Sequence, residues 1–466
     1  MQTLRSVWPV VVIVLTLLSC GPAGGGAGGA QRWLPAAPSV LDELGHFGVA
    51  HNGKPLVWAR SYVVDLTGDG RSEIVIVTSY DFLLQLTPSP IRTYAVRGGT
   101  LVEITETLFP GGAPSAVFNR ELVFGDFNGD GFPDLFLSNH GTEAFWPHPG
   151  EQNRLYLSDG SGRLIDRTET HLPQISDFSH GSAAADIDGD GRLEIFVNNL
   201  GGGETPWSYL MRQDGEGRFS VVADARFDGA GILPDEIMNR NSGYYATFVD
   251  TTDDGSVDLF LGPIPNVGEY SGWMHVLLLN DGTGRFTLAD PDRLPSVREF
   301  DGFTPSAART EDVLVGDITG DGRDDLVSFV RYGDFQGSFY TVFVNNGDGT
   351  FADETEARLP GQTFEPLVTS IPEAQLVDLN GNGHLDLLAR TFDWGADPGG
   401  MATRTWAYLN DGTGHFEILP EVGAFRPKFA VLDVNGDGVM DLVTEHRDWT
   451  SMGESYIAVF FGRDFW

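Results

Sequence analysis

A nine-residue pattern rich in aspartate and glycine occurs seven times along the chain and constrains the fold more than any other feature. The copies span Asp65–Glu73, Asp126–Asp134, Asp186–Glu194, Asp250–Asp258, Asp317–Asp325, Asp378–Asp386 and Asp433–Asp441. Their starts are separated by 61, 60, 64, 67, 61 and 55 residues, and such a period indicates a repeat architecture. We number the residues of each copy 1 to 9 and call the copies loop one to loop seven.

Short apolar runs flank each copy, as Leu122–Gly125 and Leu135–Leu137 flank loop two. Each loop therefore joins two neighbouring strands. About twenty residues later, several repeats show a third strand and a glycine-rich turn into a fourth, as in Leu278–Phe286 and Tyr408–Phe416. Four strands in such a period are typical of one propeller blade with long loops, and closing the blades in a ring removes exposed sheet edges.

We therefore predict an all-β fold over residues 45–466, a seven-bladed β-propeller of four-stranded antiparallel blades. Each blade carries the nine-residue loop between its first and second strands. Little sequence remains after Ser455–Phe461 for a last strand. We expect Pro55–Ala59 to pair as the outer strand of blade seven.

The loops have the donor pattern of calcium sites. A hard divalent cation prefers several oxygen ligands at about 2.3–2.6 Å, and a tight loop presents them from alternate positions. Positions 1, 3, 5 and 9 offer side chains, position 7 offers its backbone carbonyl, and glycines at positions 4 and 6 permit the left-handed backbone that wraps the ion. The predicted ligands are Asp65, Thr67, Asp69, Arg71 and Glu73; Asp126, Asn128, Asp130, Phe132 and Asp134; Asp186, Asp188, Asp190, Arg192 and Glu194; Asp250, Thr252, Asp254, Ser256 and Asp258; Asp317, Thr319, Asp321, Arg323 and Asp325; Asp378, Asn380, Asn382, His384 and Asp386; and Asp433, Asn435, Asp437, Val439 and Asp441.

The loops are not equivalent. Loop four has Asp253 where the others have glycine at position 4, so we expect it to bind most weakly. Loop six carries fewer negative charges and is also expected to bind less tightly. Up to seven ions with filled coordination spheres leave no open position for a substrate, which predicts a structural role for calcium.

These loops and strands resemble the FG-GAP/VCBS repeats of integrin α-subunit propellers and of many bacterial surface proteins, over roughly residues 45–466. The resemblance implies a calcium-binding propeller. It is much less specific for function, because the fold is widely reused.

The N-terminus resembles a bacterial lipoprotein signal. A short basic start is followed by an apolar run, Val7–Leu18, that is too short to span a bilayer, and then by Cys20, the only cysteine of the chain. The resemblance implies cleavage before Cys20 and its acylation, with residues 1–19 as signal peptide and 20–44 as lipidated cysteine and flexible glycine-rich tether. Gly21 follows the cysteine, so we expect the protein to cross the inner membrane and reside at the outer membrane or cell surface.

Charge and motifs narrow the function. A formal net charge of −37 argues against nucleic acid as a partner. At the end opposite the loops, aromatic and basic residues form a candidate surface for a protein or glycan: Trp146, Trp207, Trp273, Trp394, Trp449, Arg120, His180 and Arg240. We interpret His140 and His148 as solvated loop histidines.

No catalytic motif is evident, so the leading hypothesis is a non-enzymatic, calcium-binding module for adhesion, ligand binding or complex assembly. A polysaccharide lyase or hydrolase using the aromatic face, and a structural scaffold of an envelope complex, are the alternatives.

Overall fold

The fold was analysed in a computed structural model of the 466-residue chain. The structure describes residues 58–79, 88–98, 100–142, 149–199, 208–222, 245–262, 275–295, 308–332, 337–359, 365–366, 373–393, 402–419, 429–447 and 455–460.

The described residues form short strands throughout. In chain order the first sixteen are β1 Trp58–Val64, β2 Glu73–Ser79, β3 Ser89–Pro90, β4 Arg92–Arg97, β5 Thr100–Glu103, β6 Ser115–Ala116, β7 Asn119–Gly125, β8 Asp134–Asn139, β9 Glu151–Gln152, β10 Arg154–Ser158, β11 Leu164–Asp166, β12 Ser176–Asp177, β13 Ser179–Ala185, β14 Glu194–Asn199, β15 Tyr209–Gln213 and β16 Phe219–Val221. The remaining sixteen are β17 Ala246–Val249, β18 Asp258–Leu261, β19 Val276–Asn280, β20 Phe286–Leu288, β21 Ala308–Gly316, β22 Asp325–Tyr332, β23 Gly337–Asn345, β24 Phe351–Asp353, β25 Glu365–Pro366, β26 Glu373–Val377, β27 Asp386–Asp393, β28 Ala402–Asn410, β29 Phe416–Ile418, β30 Phe429–Leu432, β31 Asp441–Arg447 and β32 Ser455–Phe460.

Six blades have four strands each, and every described strand pair is antiparallel. Their strand orders are β1-β2-β4-β5, β7-β8-β10-β11, β13-β14-β15-β16, β17-β18-β19-β20, β21-β22-β23-β24 and β26-β27-β28-β29. The pairs β3-β6 and β9-β12 and the short strand β25, which pairs with β23, extend this framework. The prediction of an all-β propeller with four-stranded antiparallel blades is confirmed.

The predicted count of seven such blades is wrong, since the described residues form six. The seventh motif lies in a three-stranded sheet, β30-β31-β32. The segment expected to complete that sheet does not do so in its described part, because Trp58 and Ala59 pair with Ser79 and Thr78 as the start of β1 in blade one. The rest of that segment lies outside the described residues.

Single helical turns follow the fourth strand of several blades: α1 Thr105–Leu108, α2 Thr168–His171, a 3₁₀ turn Pro291–Arg293 and α3 Thr355–Arg358. The first threonine of α1, α2 and α3 accepts a hydrogen bond from a third-strand amide, at 2.8–3.0 Å. This bond ties each turn to its own blade. Among the described residues, no helix is both long and apolar enough to cross a membrane.

The hydrophobic core lies between neighbouring sheets. Alternation along β2 sends Val75 and Val77 against blade two, while Ile74 and Ile76 pack against β30 and β31. A strand covered on both faces must be apolar throughout, which explains the continuous aliphatic runs beside each loop. Because the three-stranded sheet packs on blade six and on blade one, it closes the ring.

The innermost strand of every blade, together with β30, lines a central cavity of about 1270 Å³. A polar layer crosses this cavity five residues before the loops. There Arg60 Nη1 lies 2.6 Å from Glu121 Oε2, and the Tyr62 hydroxyl accepts a hydrogen bond from the Leu122 amide at 3.2 Å. Burial raises the pKa of Tyr62 well above its usual value, so this phenol stays protonated.

Candidate metal centres

All of the predicted metal ligands lie in the described part of the chain, at the junction of first and second strands. Position 9 is the first residue of the second strand in each repeat, as Glu73 opens β2 and Asp134 opens β8. The loops share one end of the propeller with the turns between third and fourth strands. For example, Gly349 of blade five donates a hydrogen bond to the Thr251 carbonyl of loop four at 2.9 Å.

The position 1 carboxylate organises each loop. In loop two, Asp126 Oδ1 accepts hydrogen bonds from the amides of Gly129 at 2.7 Å and Asp130 at 3.1 Å, and Oδ2 accepts one from Gly131 at 2.9 Å. Loops three, five, six and seven repeat this set of bonds. The carboxylate thereby bends the backbone around itself, so the loop geometry is built into the protein chain.

The backbone at positions 4 and 6 of the loops is in the left-handed conformation. Gly129 and Gly131 have φ of 75° and 85°, a region that glycine adopts without steric cost. Asp253 has φ of 55° and is the only non-glycine residue with positive φ in the described ranges. Loop four also has a longer bond of 3.4 Å from the Asp254 amide to Asp250. Loop four therefore differs from the regular loops in its backbone, and its weaker calcium binding stays a prediction.

The position 9 carboxylate is the most buried donor. Asp134 is 0% exposed, and its two oxygens accept hydrogen bonds from the Phe127 and Ser158 amides, both at 2.6 Å. One bond holds the loop and the other holds the third strand of the same blade. Oδ2 also accepts a hydrogen bond from the Asn128 amide at 3.1 Å. Position 9 therefore joins the loop to the sheet, and Oδ1, which accepts one bond, retains a second lone pair.

Burial makes these carboxyls hard to ionise without a cation. It raises the pKa of Asp134 and of Glu194 to about 7, although backbone hydrogen bonds oppose the shift. Burial also raises the pKa of Glu73, Asp325 and Asp386. A nearby divalent cation favours the ionised form of a carboxyl, so these groups gain most from a bound ion.

Loop three brings its carboxylates closest together. Oxygens of Asp186, Asp188 and Glu194 all lie within 4.8 Å of one another. Carboxylates at this separation repel one another unless a cation lies between them. The donor set of oxygens alone suits a hard divalent cation such as calcium rather than a softer transition metal.

Position 7 contributes more than the carbonyl that the sequence predicted. The Arg192 side chain pairs with the position 5 carboxylate of the same loop, with its Nε 2.9 Å from Asp190 Oδ2. This bond holds the pKa of Asp190 below its usual value. Arg323 pairs with Asp321 in the same way in loop five. These arginines partly neutralise their loops.

An asparagine at the end of the third strand forms hydrogen bonds between neighbouring blades, a role that sequence reasoning missed. Asn410 Nδ2 donates to the Ile318 carbonyl of loop five at 2.8 Å and to the Leu385 carbonyl of its own blade at 3.0 Å. Asn280 makes the equivalent pair of bonds. The repeated Asn-Asp-Gly-Thr-Gly sequences that start at these residues were the available signal.

The opposite end carries the candidate ligand surface, of which only two predicted residues are described. Trp146, Trp207, Trp273, Trp394, Trp449 and Arg240 lie outside the described residues, as does Cys20. The structure does bring Arg120 and His180 together, with Arg120 Nε donating to the His180 carbonyl at 3.2 Å. Their role in ligand binding stays a prediction.

Both residues lie at β-bulges, where a strand gains one residue and re-aims its side chains. His180 Nε2 lies 2.8 Å from His140 Nε2, and His140 packs on the Phe178 ring. The interpretation of His140 as a solvated loop histidine is wrong, because it is 0% exposed. Its place immediately after β8 puts it between two blades.

Comparisons with known proteins agree with this repeat organisation. The FG-GAP-like repeat model matches residues 65–137, 139–197, 317–389 and 378–444, which is more than half of the chain, and an FG-GAP repeat model matches residues 118–157. No curated protein matches the sequence.

Solved structures with similarity to the chain have low sequence identity. The V. cholerae biofilm matrix protein Bap1 is 13% identical over 89% of both chains, with a TM-score of 0.42. The intramolecular trans-sialidase from Ruminococcus gnavus is 10% identical over 90% of this chain and 96% of its own, with a TM-score of 0.34. On the family matches, which coincide with the loops and sheets described above, this chain belongs to the FG-GAP repeat family.

Proposed function

We propose that this protein is a calcium-stabilised propeller, lipid-anchored outside the bacterial inner membrane, that acts as a non-catalytic adhesion or ligand-binding module. The observation that carries the calcium assignment is the loop geometry of loops two, three, five, six and seven, in which the position 1 carboxylate accepts hydrogen bonds from the amides of positions 4, 5 and 6. Because the loop backbone is already ordered, calcium binding costs little free energy for ordering the loop, and the ion gains several oxygen ligands.

The proposed role of calcium is structural. Each loop connects the innermost strand to the second strand. In loops two, four, five and six the position 9 carboxylate also bonds the third strand. An ion held there would join three strands of one blade. The third-strand asparagines of blades four, five and six bond loops three, four and five of the preceding blades. The stabilisation by calcium would therefore extend to the interface between blades. Binding to the folded form alone adds stability by mass action.

Calorimetric titration of calcium into calcium-stripped protein tests this assignment. We expect five to seven bound ions and a large rise in melting temperature. A site filled at one hundred times its Kd contributes about 2.7 kcal/mol, so even a few such sites should be evident. Absence of binding, with an unchanged melting temperature, would show that the acidic loops are only turns.

The proposed binding role rests on the FG-GAP propeller fold, which suits recognition surfaces at the ends of its ring. The bulged first strands of blades two and three re-aim side chains at the end opposite the loops. That end is therefore the proposed ligand face. Membrane anchoring rests on Cys20 and the apolar run before it.

A screen of immobilised glycans and envelope proteins against the calcium-loaded protein tests the binding role. Retention of one ligand class, lost when calcium is removed, would support it. Turnover of a polysaccharide in the same screen would instead favour the enzyme alternative.

A further inference from the structure

Loop three differs from the other loops at two places that are far apart in sequence. Its position 3 is an aspartate, Asp188, whereas every other loop has threonine or asparagine there. The penultimate residue of its third strand is Arg212, whereas the equivalent residues of the other five blades are aliphatic: Val96, Leu157, Leu279, Val344 and Leu409. The repeat that has an additional carboxylate thus also has an additional guanidinium.

The structure brings these two residues together. Arg212 Nη2 lies 3.1 Å from Asp188 Oδ2, and Arg212 Nε lies 3.8 Å from Glu194 Oε1. Both carboxylates belong to the cluster whose oxygens lie within 4.8 Å of one another. The guanidinium therefore contacts two of the oxygen donors that a metal ion in this loop would use.

The neighbouring blade restricts where Arg212 can go. A methyl group added at Gly284, in the turn between β19 and β20, would lie 2.7 Å from Arg212 Nη2. The arginine thus lies between loop three and the adjacent turn, with its side chain 36% exposed. On the other side, Asp188 Oδ1 is buried and has no hydrogen-bond partner within the described residues, so this loop retains a free oxygen donor.

We propose that Arg212 is a built-in cation that competes with the divalent ion at loop three and sets its affinity, so that this loop fills after the regular loops. The inference rests on the proposed calcium binding and concerns one residue's control of one site. Without the guanidinium, loop three presents four carboxylates, at positions 1, 3, 5 and 9, one more than any other loop has at these positions, and its affinity for a divalent ion rises. With it, calcium must displace Arg212 from Asp188 or bind against its positive charge.

The expected change in calcium affinity at loop three follows from Coulomb's law. A unit charge about 5 Å from a divalent ion, in a water-like dielectric, changes the binding constant by roughly tenfold. The substitution Arg212→Leu places at this position the residue type that blades two, four and six carry. Arg212→Lys keeps a positive charge there and serves as the matched control.

Equilibrium dialysis with radioactive calcium at low free concentration, where only tight sites fill, tests the proposal. We expect Arg212→Leu to bind about one more ion per chain than wild type, with a roughly tenfold tighter Kd for that ion, and Arg212→Lys to bind as wild type does. The double variant Asp188→Asn/Arg212→Leu should lose this gain in affinity, because the additional carboxylate is removed together with the guanidinium.

The outcomes separate this inference from the proposal it rests on. If wild type binds several ions and Arg212→Leu binds the same number with the same affinities, Arg212 does not compete and the inference is overturned. If wild type and all variants bind no calcium, the calcium assignment itself fails. Melting temperatures of the variants without calcium confirm that each one folds.

Discussion

The asparagine at the end of the third strand should contribute several kcal/mol to stability, and Asn410→Ala tests this. The side chain is 2% exposed. It donates to the carbonyls of Ile318 and Leu385 at 2.8 and 3.0 Å, and it accepts from the amides of Gly412 and Gly414 at 2.9 and 3.0 Å. Alanine removes all four bonds and leaves four backbone groups to find other partners.

A net contribution of about 1 kcal/mol per hydrogen bond gives an expected loss of about 3–4 kcal/mol in the free energy of unfolding. The matched control is Asn346→Ala. Among the described residues that side chain bonds only Thr350 Oγ1, at 3.0 Å, in the exposed turn of blade five, so its removal should cost no more than about 0.5 kcal/mol.

Urea denaturation at saturating calcium, followed by tryptophan fluorescence, measures both variants against wild type. A loss for Asn410→Ala that does not exceed the loss for Asn346→Ala would refute the reasoning. The bond between blades would then contribute nothing beyond an ordinary turn contact.

Three further predictions follow from the loops and the N-terminus. In calcium-stripped protein the fold raises the pKa of Asp134 to about 7. The free energy of unfolding of wild type should therefore fall as the pH rises from about 4 to about 7. Denaturant titrations should show Asp134→Asn gaining stability relative to wild type over that range. A flat difference would contradict this. Asp253→Gly should raise the free energy of unfolding by roughly 1 kcal/mol, because glycine adopts the left-handed backbone at φ 55° without strain. The opposite change at the same loop position, Gly189→Asp, has open space around it and should lower the free energy of unfolding by a similar amount. Equal stabilities by thermal melting would argue against backbone strain. Cys20→Ser should move the protein from the membrane to the soluble fraction of a bacterial host, and continued membrane retention would argue against lipidation.

The sequence was sufficient to predict the blades because the physical constraints are local. An apolar run that ends at Asp126, a nine-residue loop and a second apolar run from Leu135 specify two antiparallel strands and their connection. The same reasoning placed position 9 at the end of the loop, immediately before the second apolar run, whereas the structure makes it the first residue of the second strand. Its dual bonding to the loop and to the third strand was not evident, because the Ser158 amide is distant in sequence.

The sequence was a poor guide where partners come from other blades. Pairing of Trp58 and Ala59 with β2 depends on which strand lies nearest in space, so the expected pairing of these two residues with the last sheet was wrong. Likewise, His140 followed a strand and was read as a loop residue, yet His180 and Phe178 of the next blade bury it. The sequence alone does not single out Arg212, because only the fold brings it to loop three.

A crystal structure of the protein grown with calcium would test the central claim most directly. We predict anomalous difference peaks in the loops, each surrounded by oxygens of positions 1, 3, 5 and 7 and the position 9 carboxylate at about 2.3–2.6 Å. Loops that contain only water, with their carboxylates bonded to backbone amides as they are here, would contradict the account.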